Sequence, residues 1–229
     1  MLFRSYDDAR SALVRMLAID CDLPPYDENR LRTEMALFTE WFLPHQLDIR
    51  VSQGVSSMLA AVFDLLVENA RSQPQRFVHR DYHCRNLMVA ASNNPGILDF
   101  QDAVIGPVTY DLVSLYKDCY YRFDRSWVEE EVSRFHRQLV DCNLLEADAP
   151  LLEWFDLMGA QRHLKCAGIF SRLNLRDGKA GYLGDIPLVI EYLAEVAEMY
   201  PALAEFGAWL DAVIEPRMQA APYNRAAQG

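Results

Sequence analysis

Lysine is scarce in this sequence, and its cysteines form no recognisable framework. Only three of the 229 residues are lysine, and 22 basic side chains stand against 33 acidic ones, which gives a net charge of −11 and a pI of about 4.9. This balance excludes a basic nucleic-acid-binding footprint as a global property. The five cysteines are odd in number and contain no C-x-x-C pair. They argue against a disulfide framework or a zinc site and favour free thiols in a reducing compartment.

Long apolar runs and a leader-like start are also lacking. A membrane-spanning helix takes roughly 20 consecutive apolar residues, and no stretch of the sequence reaches that length. Two aspartates stand at positions 7 and 8, where a secretory signal needs a basic start and an apolar run. We therefore expect a cytoplasmic protein that has no membrane or nucleic-acid partner.

Helical periodicity runs through most of the chain. Apolar residues recur at helical spacing, which predicts helices over residues 2–19, 27–43, 55–70, 110–121, 127–141, 150–173, 187–199 and 201–214. Strand-like runs at 87–90 and 96–100 flank a turn-forming segment and predict one hairpin. Residues 76–79 are predicted to lead into a loop. The pattern predicts an α+β fold that is mainly helical, followed by a flexible tail at 216–229.

Dense polar residues flank the predicted hairpin. His79, Asp81 and Asn86 precede it in the pattern H-x-D-x-x-x-x-N, and Asp99 closes its second strand. Phosphoryl transfer needs one carboxylate that orients the acceptor hydroxyl and accepts its proton. It also needs a second carboxylate and an amide oxygen that hold Mg²⁺ against the nucleotide phosphates. Asp81 fits the base, and Asn86 and Asp99 fit the metal ligands, because the hairpin brings these two together.

Other interpretations of the same residues stay open. An Asp and an Asn in a loop are most often turn-forming residues, although the full ordered set rarely arises that way. The alternation of His79, Asp81 and His83 also suits the metal cluster of a hydrolase. Cys84 lies beside the site and is a candidate nucleophile, although the kinase spacing demands no residue type at its position.

The motif at 79–86 resembles the catalytic loop of the protein-kinase-like superfamily. The strings D-F-Q-D at 99–102 and G-P-V-T-Y-D-L at 106–112 are similar to the aminoglycoside-phosphotransferase and choline-kinase branch. This resemblance implies a small-molecule kinase that uses ATP and Mg²⁺. It also implies that residues 1–215 form the C-terminal lobe of the kinase-like fold, with the metal-binding Asp region at 99–102.

Longer strings resemble a narrower group, the anomeric amino-sugar kinases of peptidoglycan recycling. They lie at 26–43, 78–88, 94–103, 161–165 and 168–173. The resemblance implies transfer of the ATP γ-phosphoryl group to the C1 hydroxyl of N-acetylmuramate or N-acetylglucosamine. An aminoglycoside or another small molecule is the alternative acceptor, since a net charge of −11 suits a polycation.

Roles carry over by position in the catalytic motif. The resemblance makes Asp81 the base, and Asn86 and Asp99 the ligands of the nucleotide-bound Mg²⁺. His79 would pack under the loop and fix its shape. His83 would lie near the γ-phosphate and stabilise developing charge, with a hydrogen-bonded loop histidine as the equal alternative.

Four residues outside this motif receive supporting or substrate roles. Asp111 opens a helix and would brace the catalytic loop, which is compatible with a helix cap. Asp102 would be a second metal-shell or substrate acid. Arg162 and Arg172 form a basic cluster with His163 and Lys165 on one predicted helix, and this cluster would meet a substrate carboxylate or phosphate. A solvated basic face, or a set of internal ion pairs, is the simpler interpretation of these two arginines.

The sequence departs from the superfamily before the catalytic motif. Such kinases carry a β-rich N-terminal lobe with a glycine-rich loop and a strand lysine that contact the phosphates. Here the first glycine is Gly54 and the first lysine is Lys117. We therefore expect the N-terminal lobe to be absent, either in a fragment or in a naturally short protein. A lone lobe would expose apolar surface that favours self-association, and a non-catalytic binding module stays open as a second class of function.

Overall fold

A computed structural model describes residues 2–220, with the side chains of residues 5–220, and most of these residues are helical. The α-helices are α1 (Leu2–Leu17), α2 (Glu28–Leu37), α3 (Gln53–Ser72), α4 (Tyr110–Tyr116), α5 (Arg125–Asp141), α6 (Leu151–Asp177), α7 (Ile186–Met199), α8 (Ala204–Trp209) and α9 (Glu215–Ala220). π-Helical segments follow α2 at Phe38–Gln46 and α8 at Leu210–Ile214, and 3₁₀ turns lie at Cys84–Asn86, Ala180–Asp185 and Pro201–Leu203. No helix in this described range is long and apolar enough to cross a membrane.

Two small antiparallel sheets interrupt the helices. Strand β1 (Gln75–Val78) pairs with β4 (Val104–Pro107), and β2 (Leu87–Met88) pairs with β3 (Gly96–Ile97). The second pair is the predicted hairpin, with shorter strands than predicted. The sequence predicts that residues 76–79 lead into a loop, which they do, but it does not predict the first pair, to which residues 76–78 belong as part of β1. Each strand of that pair has four residues, too few for a period, and the partners are distant in sequence, so tertiary pairing decides them.

Three predicted segments end differently in the structure. The helix predicted over 110–121 stops at Tyr116, because Lys117 leaves helical geometry with φ −118° and ψ 48°. The helix predicted over 201–214 is broken into a 3₁₀ turn, α8 and a π-helical segment. The predicted tail at 216–229 begins within α9, and residues 221–229 lie outside the described residues.

The chain divides into two compact units. Unit 1 comprises residues 1–27 and 69–158, and it contains both small sheets. Unit 2 comprises residues 28–68 and 159–229 and is helical throughout its described elements. The lobe predicted at 1–215 therefore contains residues of both units, and the polar residues around the hairpin all belong to unit 1.

Unit 1 contains a buried ion network beneath the C-terminal end of α4. Lys117 is 2 % exposed, and its Nζ donates to Asp156 Oδ1 at 2.9 Å. Arg125 donates from its Nη2 to Asp156 Oδ2 at 2.8 Å. Burial raises the pKa of Asp156, but the hydrogen bonds and charges of Arg125 and Lys117 outweigh burial and lower the pKa overall. Asp156 thus pairs with two cations in the interior, and Arg125 also pairs with Glu129 at the surface.

Asp156→Asn is expected to destabilise the protein by about 3 kcal/mol, because it removes the carboxylate charge that pairs with the buried Lys117 ammonium. The measurement is the free energy of unfolding in urea at neutral pH. Glu129→Gln is the control, since Glu129 pairs with Arg125 at an exposed position and such pairs contribute about 1 kcal/mol or less. If the free energy of unfolding falls equally in the two variants, the buried ion pair does not contribute more to stability than the exposed one.

Unit 2 packs its helices through one ion pair and one close backbone approach. Lys165 on α6 pairs with Glu34 on α2, Nζ to Oε2 at 3.2 Å. Gly168 on α6 lies against Leu37, the last residue of α2, so closely that the space for a side chain is already occupied. The ring of His163 stacks on Tyr192 with centroids 4.7 Å apart. The face of α6 that carries these residues is therefore an internal packing face.

Candidate active site

The predicted catalytic loop runs from β1 to β2 and is anchored in the core of unit 1. His79 and Tyr82 are buried, whereas Asp81 and Asn86 are half-buried. The Tyr82 hydroxyl donates to the carbonyl of Ala9 on α1 at 2.8 Å. His79 and Tyr82 therefore anchor the loop in the interior, and Asp81 and Asn86 stay partly accessible to solvent.

Asp111 holds the first turn of this loop. Its Oδ2 accepts the backbone N–H of His79 at 2.6 Å, and its Oδ1 accepts the backbone N–H of Arg80 at 3.0 Å. Arg80 has φ +77°, a left-handed conformation that is costly for a non-glycine residue. Two charge-assisted hydrogen bonds from a buried carboxylate offset this cost. Asp111 is not the N-cap of α4, as the sequence suggested, because Thr109 occupies that position.

Asn86 closes the loop and faces the hairpin. Its Nδ2 donates to the backbone carbonyl of Asp81 at 3.1 Å, which leaves the side-chain oxygen as the free end of the amide. The backbone carbonyl of Asn86 accepts the N–H of Leu98 at 3.0 Å, one step beyond the β2–β3 pairing. Asp99 is the next residue after Leu98. Asp99 and Asn86 are therefore close along the hairpin, although they are 13 positions apart in the sequence.

Asp81 and Asp99 both act on the ring of His79. Burial lowers the pKa of His79 below its ordinary value of 6.5, and the charges of Asp81 and Asp99 and the backbone of Leu98 oppose that shift. The Nδ1 atom of His79 accepts the backbone N–H of Asp81 at 3.3 Å, which requires that nitrogen to be unprotonated. A neutral His79 thus shapes the loop from below, between two carboxylates that the hairpin has brought together.

Asp99 and Asp102 are exposed, but their backbones differ. Asp99 has φ +62°, in the left-handed region that aspartate tolerates better than most residues, and strain of this kind is common at functional positions. Asp102 lies in the turn before β4.

Within residues 2–220 no group of three or more His, Cys, Asp and Glu side chains is arranged to hold a metal ion, so a hydrolase-type cluster at His79, Asp81 and His83 has no support.

Asp118 is a loop-holding residue that the sequence analysis missed. It is 1 % exposed and follows the end of α4. Its Oδ2 accepts the backbone N–H of Cys84 at 3.2 Å, and its Oδ1 accepts that of Tyr120 at 3.3 Å. Asp111 and Asp118 thus hold the start and the end of the catalytic loop from the two ends of one short helix. No sequence signal identified Asp118, because its partners are backbone groups.

Cys84 is not an activated thiol. Partial burial, the charge of Asp118 and a hydrogen bond to Asp118 raise the pKa of Cys84 to about 12. The thiolate is the nucleophilic form of cysteine, so little of it is present at neutral pH. The nucleophile interpretation of Cys84 therefore has no support.

Asp118→Asn is expected to lower the pKa of Cys84, because the variant removes the charge that opposes the thiolate. Alkylation of Cys84 near pH 8 should accelerate by about tenfold for each unit by which the pKa falls. The rate is measured by peptide mapping after pulses of iodoacetamide, with the exposed Cys142 as the internal reference. A ratio of the two rates that matches the wild type would show that Asp118 does not act on the loop as described.

Tyr120 lies between two basic side chains of the catalytic loop. The rings of His83 and Tyr120 meet edge to face, with centroids 5.5 Å apart. The guanidinium carbon of Arg85 lies 3.4 Å from the centroid of the Tyr120 ring. The segment after α4 therefore contacts the loop through side chains as well as through Asp118.

The remaining predicted substrate residues, Arg162 and Arg172, belong to unit 2. Both lie on α6, Arg162 buried and Arg172 half-buried. Their neighbour Lys165 forms an ion pair with Glu34. For this lysine, the pair agrees with the interpretation of the basic residues as internal ion-pair partners. The structure thus assembles Asp81, Asn86 and Asp99 within unit 1, and it assigns the two arginines to the other unit.

An apolar cavity of about 220 Å³ lies beside the loop in unit 1. Tyr6 and Ala9 of α1 line one side, and Leu87, Met88 and Pro95 of the hairpin segment line the other. Several apolar side chains around the hairpin are exposed, namely Met88, Val89, Leu98 and Phe100. The site therefore combines a polar loop with an apolar surface next to it.

Comparisons with known proteins identify a family and several relatives. Residues 3–151 match a family model described as phosphotransferase enzyme family. N-acetylmuramate/N-acetylglucosamine kinases of Pseudomonas aeruginosa and Pseudomonas putida are each 42 % identical over 206 residues, and that of Neisseria meningitidis is 40 % identical over 190 residues. The alignments cover 88 %, 88 % and 82 % of this chain but 61 %, 60 % and 57 % of those proteins.

A solved structure, the ADP-bound aminoglycoside phosphotransferase APH(2'')-Ib, is also similar. It aligns with a TM-score of 0.48 and 13 % identity, over 84 % of this chain and 63 % of that one. The chain thus spans less than two thirds of the length of the relatives it matches.

Proposed function

Because the chain belongs to the phosphotransferase enzyme family, we propose that it transfers the γ-phosphoryl group of ATP to an amino sugar. The proposed acceptors are N-acetylmuramate and N-acetylglucosamine, and the proposed position is the anomeric hydroxyl. Relatives that are 40–42 % identical and are named N-acetylmuramate/N-acetylglucosamine kinases support this choice of acceptor. Since the chain spans only part of their length, the whole activity is an inference.

The observation that carries the proposal is the closed catalytic loop. The charges of Asp81 and Asp99 both act on the buried His79 ring, and Asn86 is tied by its amide nitrogen to the Asp81 carbonyl. This arrangement holds one carboxylate for the acceptor and a carboxylate and an amide oxygen for a cation. Loop residues that lacked a chemical role would not need two buried aspartates to fix their backbone.

Asp81 is the proposed general base. Its carboxylate would accept a hydrogen bond from the sugar hydroxyl, hold the oxygen in line with the phosphoryl group and take the proton as the new bond forms. The hydrogen bonds of its backbone to His79 and Asn86 restrict its position. His83 is the proposed charge-stabilising residue near the transferred group.

Asn86 and Asp99 fit a magnesium ion. Mg²⁺ prefers hard oxygen ligands, and the geometry leaves Asn86 Oδ1 and the exposed Asp99 carboxylate for this purpose. When bound with ATP, the ion supplies charge neutralisation at the phosphates. The apolar cavity beside the loop would contact the nucleobase. Asp102 is proposed to lie in the outer shell of this site. Self-association through the apolar surface that an absent N-terminal lobe would expose stays a prediction.

A panel of acceptors tests the function. The 229-residue chain is incubated with Mg·ATP and one acceptor at a time, and ADP formation is followed in a coupled assay. We expect turnover with N-acetylmuramate and N-acetylglucosamine, and none with the methyl glycoside of N-acetylglucosamine, whose anomeric oxygen is blocked. Turnover with the methyl glycoside would contradict the anomeric position. Turnover with kanamycin alone would favour the aminoglycoside acceptor instead.

A further inference from the structure

Arg85 stands on the outer surface of the catalytic loop. It is exposed, four residues after Asp81 and one before Asn86. The hydrogen bond between the Asn86 side chain and the Asp81 carbonyl closes this stretch of six residues. Because this hydrogen bond brings Asn86 against the backbone of Asp81, the adjacent Arg85 belongs to the same closed loop as the predicted base.

The guanidinium of Arg85 is held in position by an aromatic ring. Its central carbon lies 3.4 Å from the centroid of the Tyr120 ring, a stacked cation–π contact. Asp118 fixes the backbone on both sides of this contact, since it accepts the N–H of Cys84 and the N–H of Tyr120. The ring covers one side of the guanidinium, and the Arg85 side chain as a whole stays exposed.

The charge of Arg85 is not neutralised by a neighbouring acid. Among the residues that the structure describes, no carboxylate forms an ion pair with Arg85. Other arginines of the chain do have such a partner, namely Arg10, Arg32, Arg125, Arg134 and Arg176. A stacked, exposed guanidinium without an acid is an anion site, because its planar edge matches a carboxylate with two parallel hydrogen bonds.

We propose that Arg85 binds the carboxylate of the acceptor sugar and sets a preference for N-acetylmuramate over N-acetylglucosamine. This inference rests on the proposed function and adds a specificity-determining residue to it. The two sugars share the ring and the N-acetyl group, but only N-acetylmuramate carries a carboxylate. Arg85 gives the loop a contact for that group, and N-acetylglucosamine leaves the contact unused.

The test compares the two sugars in Arg85→Gln, Arg85→Lys and the wild type. We expect Arg85→Gln to lower the kcat/KM for N-acetylmuramate by about tenfold, since a charge-assisted hydrogen bond is lost, with less than about a threefold change for N-acetylglucosamine. Arg85→Lys should recover part of the preference, because it keeps the charge and loses the planar fork. The control is Arg137→Gln on the exposed face of α5, which should leave the kcat/KM for both sugars unchanged.

Several outcomes would overturn the inference. An unchanged ratio of the two kcat/KM values removes Arg85 from acceptor recognition. Equal losses for both sugars assign it to the stability of the loop, and a rise in the KM for ATP assigns it to the nucleotide phosphates. If the wild-type chain phosphorylates both sugars, each of these results contradicts only the role of Arg85 and leaves the proposed function intact.

Equilibrium binding separates failure of the inference from failure of the function. Calorimetric titration with each sugar, without ATP, should give tighter binding of N-acetylmuramate to the wild type and no preference in Arg85→Gln. Binding of both sugars with equal affinity to the wild type contradicts the role of Arg85 alone. A wild-type chain that neither binds nor phosphorylates either sugar contradicts the proposed function, and the inference falls with it.

Discussion

Asp81→Asn should reduce kcat by about 10³-fold, because the amide can still hold the acceptor hydroxyl but cannot take its proton. The affinity for nucleotide should stay within about threefold of the wild type, since Asp81 acts on the acceptor and not on ATP. The loop should keep its shape, because the backbone groups of Asp81, and not its carboxylate, make the hydrogen bonds to His79 and Asn86. Steady-state kinetics with saturating sugar, together with calorimetric titration of Mg·ATP, gives both quantities.

Asp141→Asn is the matched control for this substitution. Asp141 is exposed at the end of α5 in the same unit, so its variant should have the kcat of the wild type. Wild-type turnover in Asp81→Asn would remove Asp81 from the role of base. A loss of nucleotide affinity that accounts for the whole decrease in kcat/KM would assign Asp81 to the nucleotide site instead.

The second large effect concerns stability. Gly168→Ala is expected to lower the free energy of unfolding by about 3 kcal/mol or more, which is the upper range for overpacking a well-packed core. An ideal Cβ on Gly168 would lie 2.3 Å from the carbonyl carbon of Leu37, 2.5 Å from its Cβ and 2.6 Å from its carbonyl oxygen. Two of these three atoms are backbone, so no side-chain rotation can relieve the clash. Helices α2 and α6 of unit 2 would have to move apart.

Urea denaturation of Gly168→Ala and Gly54→Ala tests this contact. Gly54 is also helical, but a Cβ added there has no neighbour within 4 Å. We expect Gly54→Ala to be neutral or to stabilise by up to about 0.5 kcal/mol, because alanine has the higher helix propensity. If the two variants unfold at similar denaturant concentrations, the close approach of α6 to Leu37 is not present in solution.

The candidate residues of the catalytic loop could be selected from the sequence because they are concentrated in a short ordered motif. The residue types at 79, 81, 86 and 99 have few other uses in that order, and the turn chemistry at 92–96 predicted the hairpin that joins them. The predicted family is confirmed by the match of residues 3–151. The mainly helical fold is confirmed as well, because apolar periodicity over ten or more residues is a strong signal.

Features that depend on backbone partners could not be predicted in this way. Strands β1 and β4 have no period of their own and exist because they pair with each other. Asp118 uses backbone N–H groups, which every residue but proline offers, so its position has no sequence signature. Gly168 was noticed only as part of a string, and the reason for glycine there is the approach of Leu37 across unit 2.

The most direct test of the proposed activity is ³¹P NMR of the 229-residue chain with Mg·ATP and N-acetylglucosamine. The account predicts a new phosphate-ester resonance that is coupled to the anomeric proton, at the expense of the ATP γ-phosphate, and its loss in Asp81→Asn. A resonance coupled to another sugar proton would contradict the anomeric acceptor. No transfer to N-acetylglucosamine, nor to N-acetylmuramate in a parallel sample, with ATP left intact, would contradict the assignment of this chain as an amino-sugar kinase.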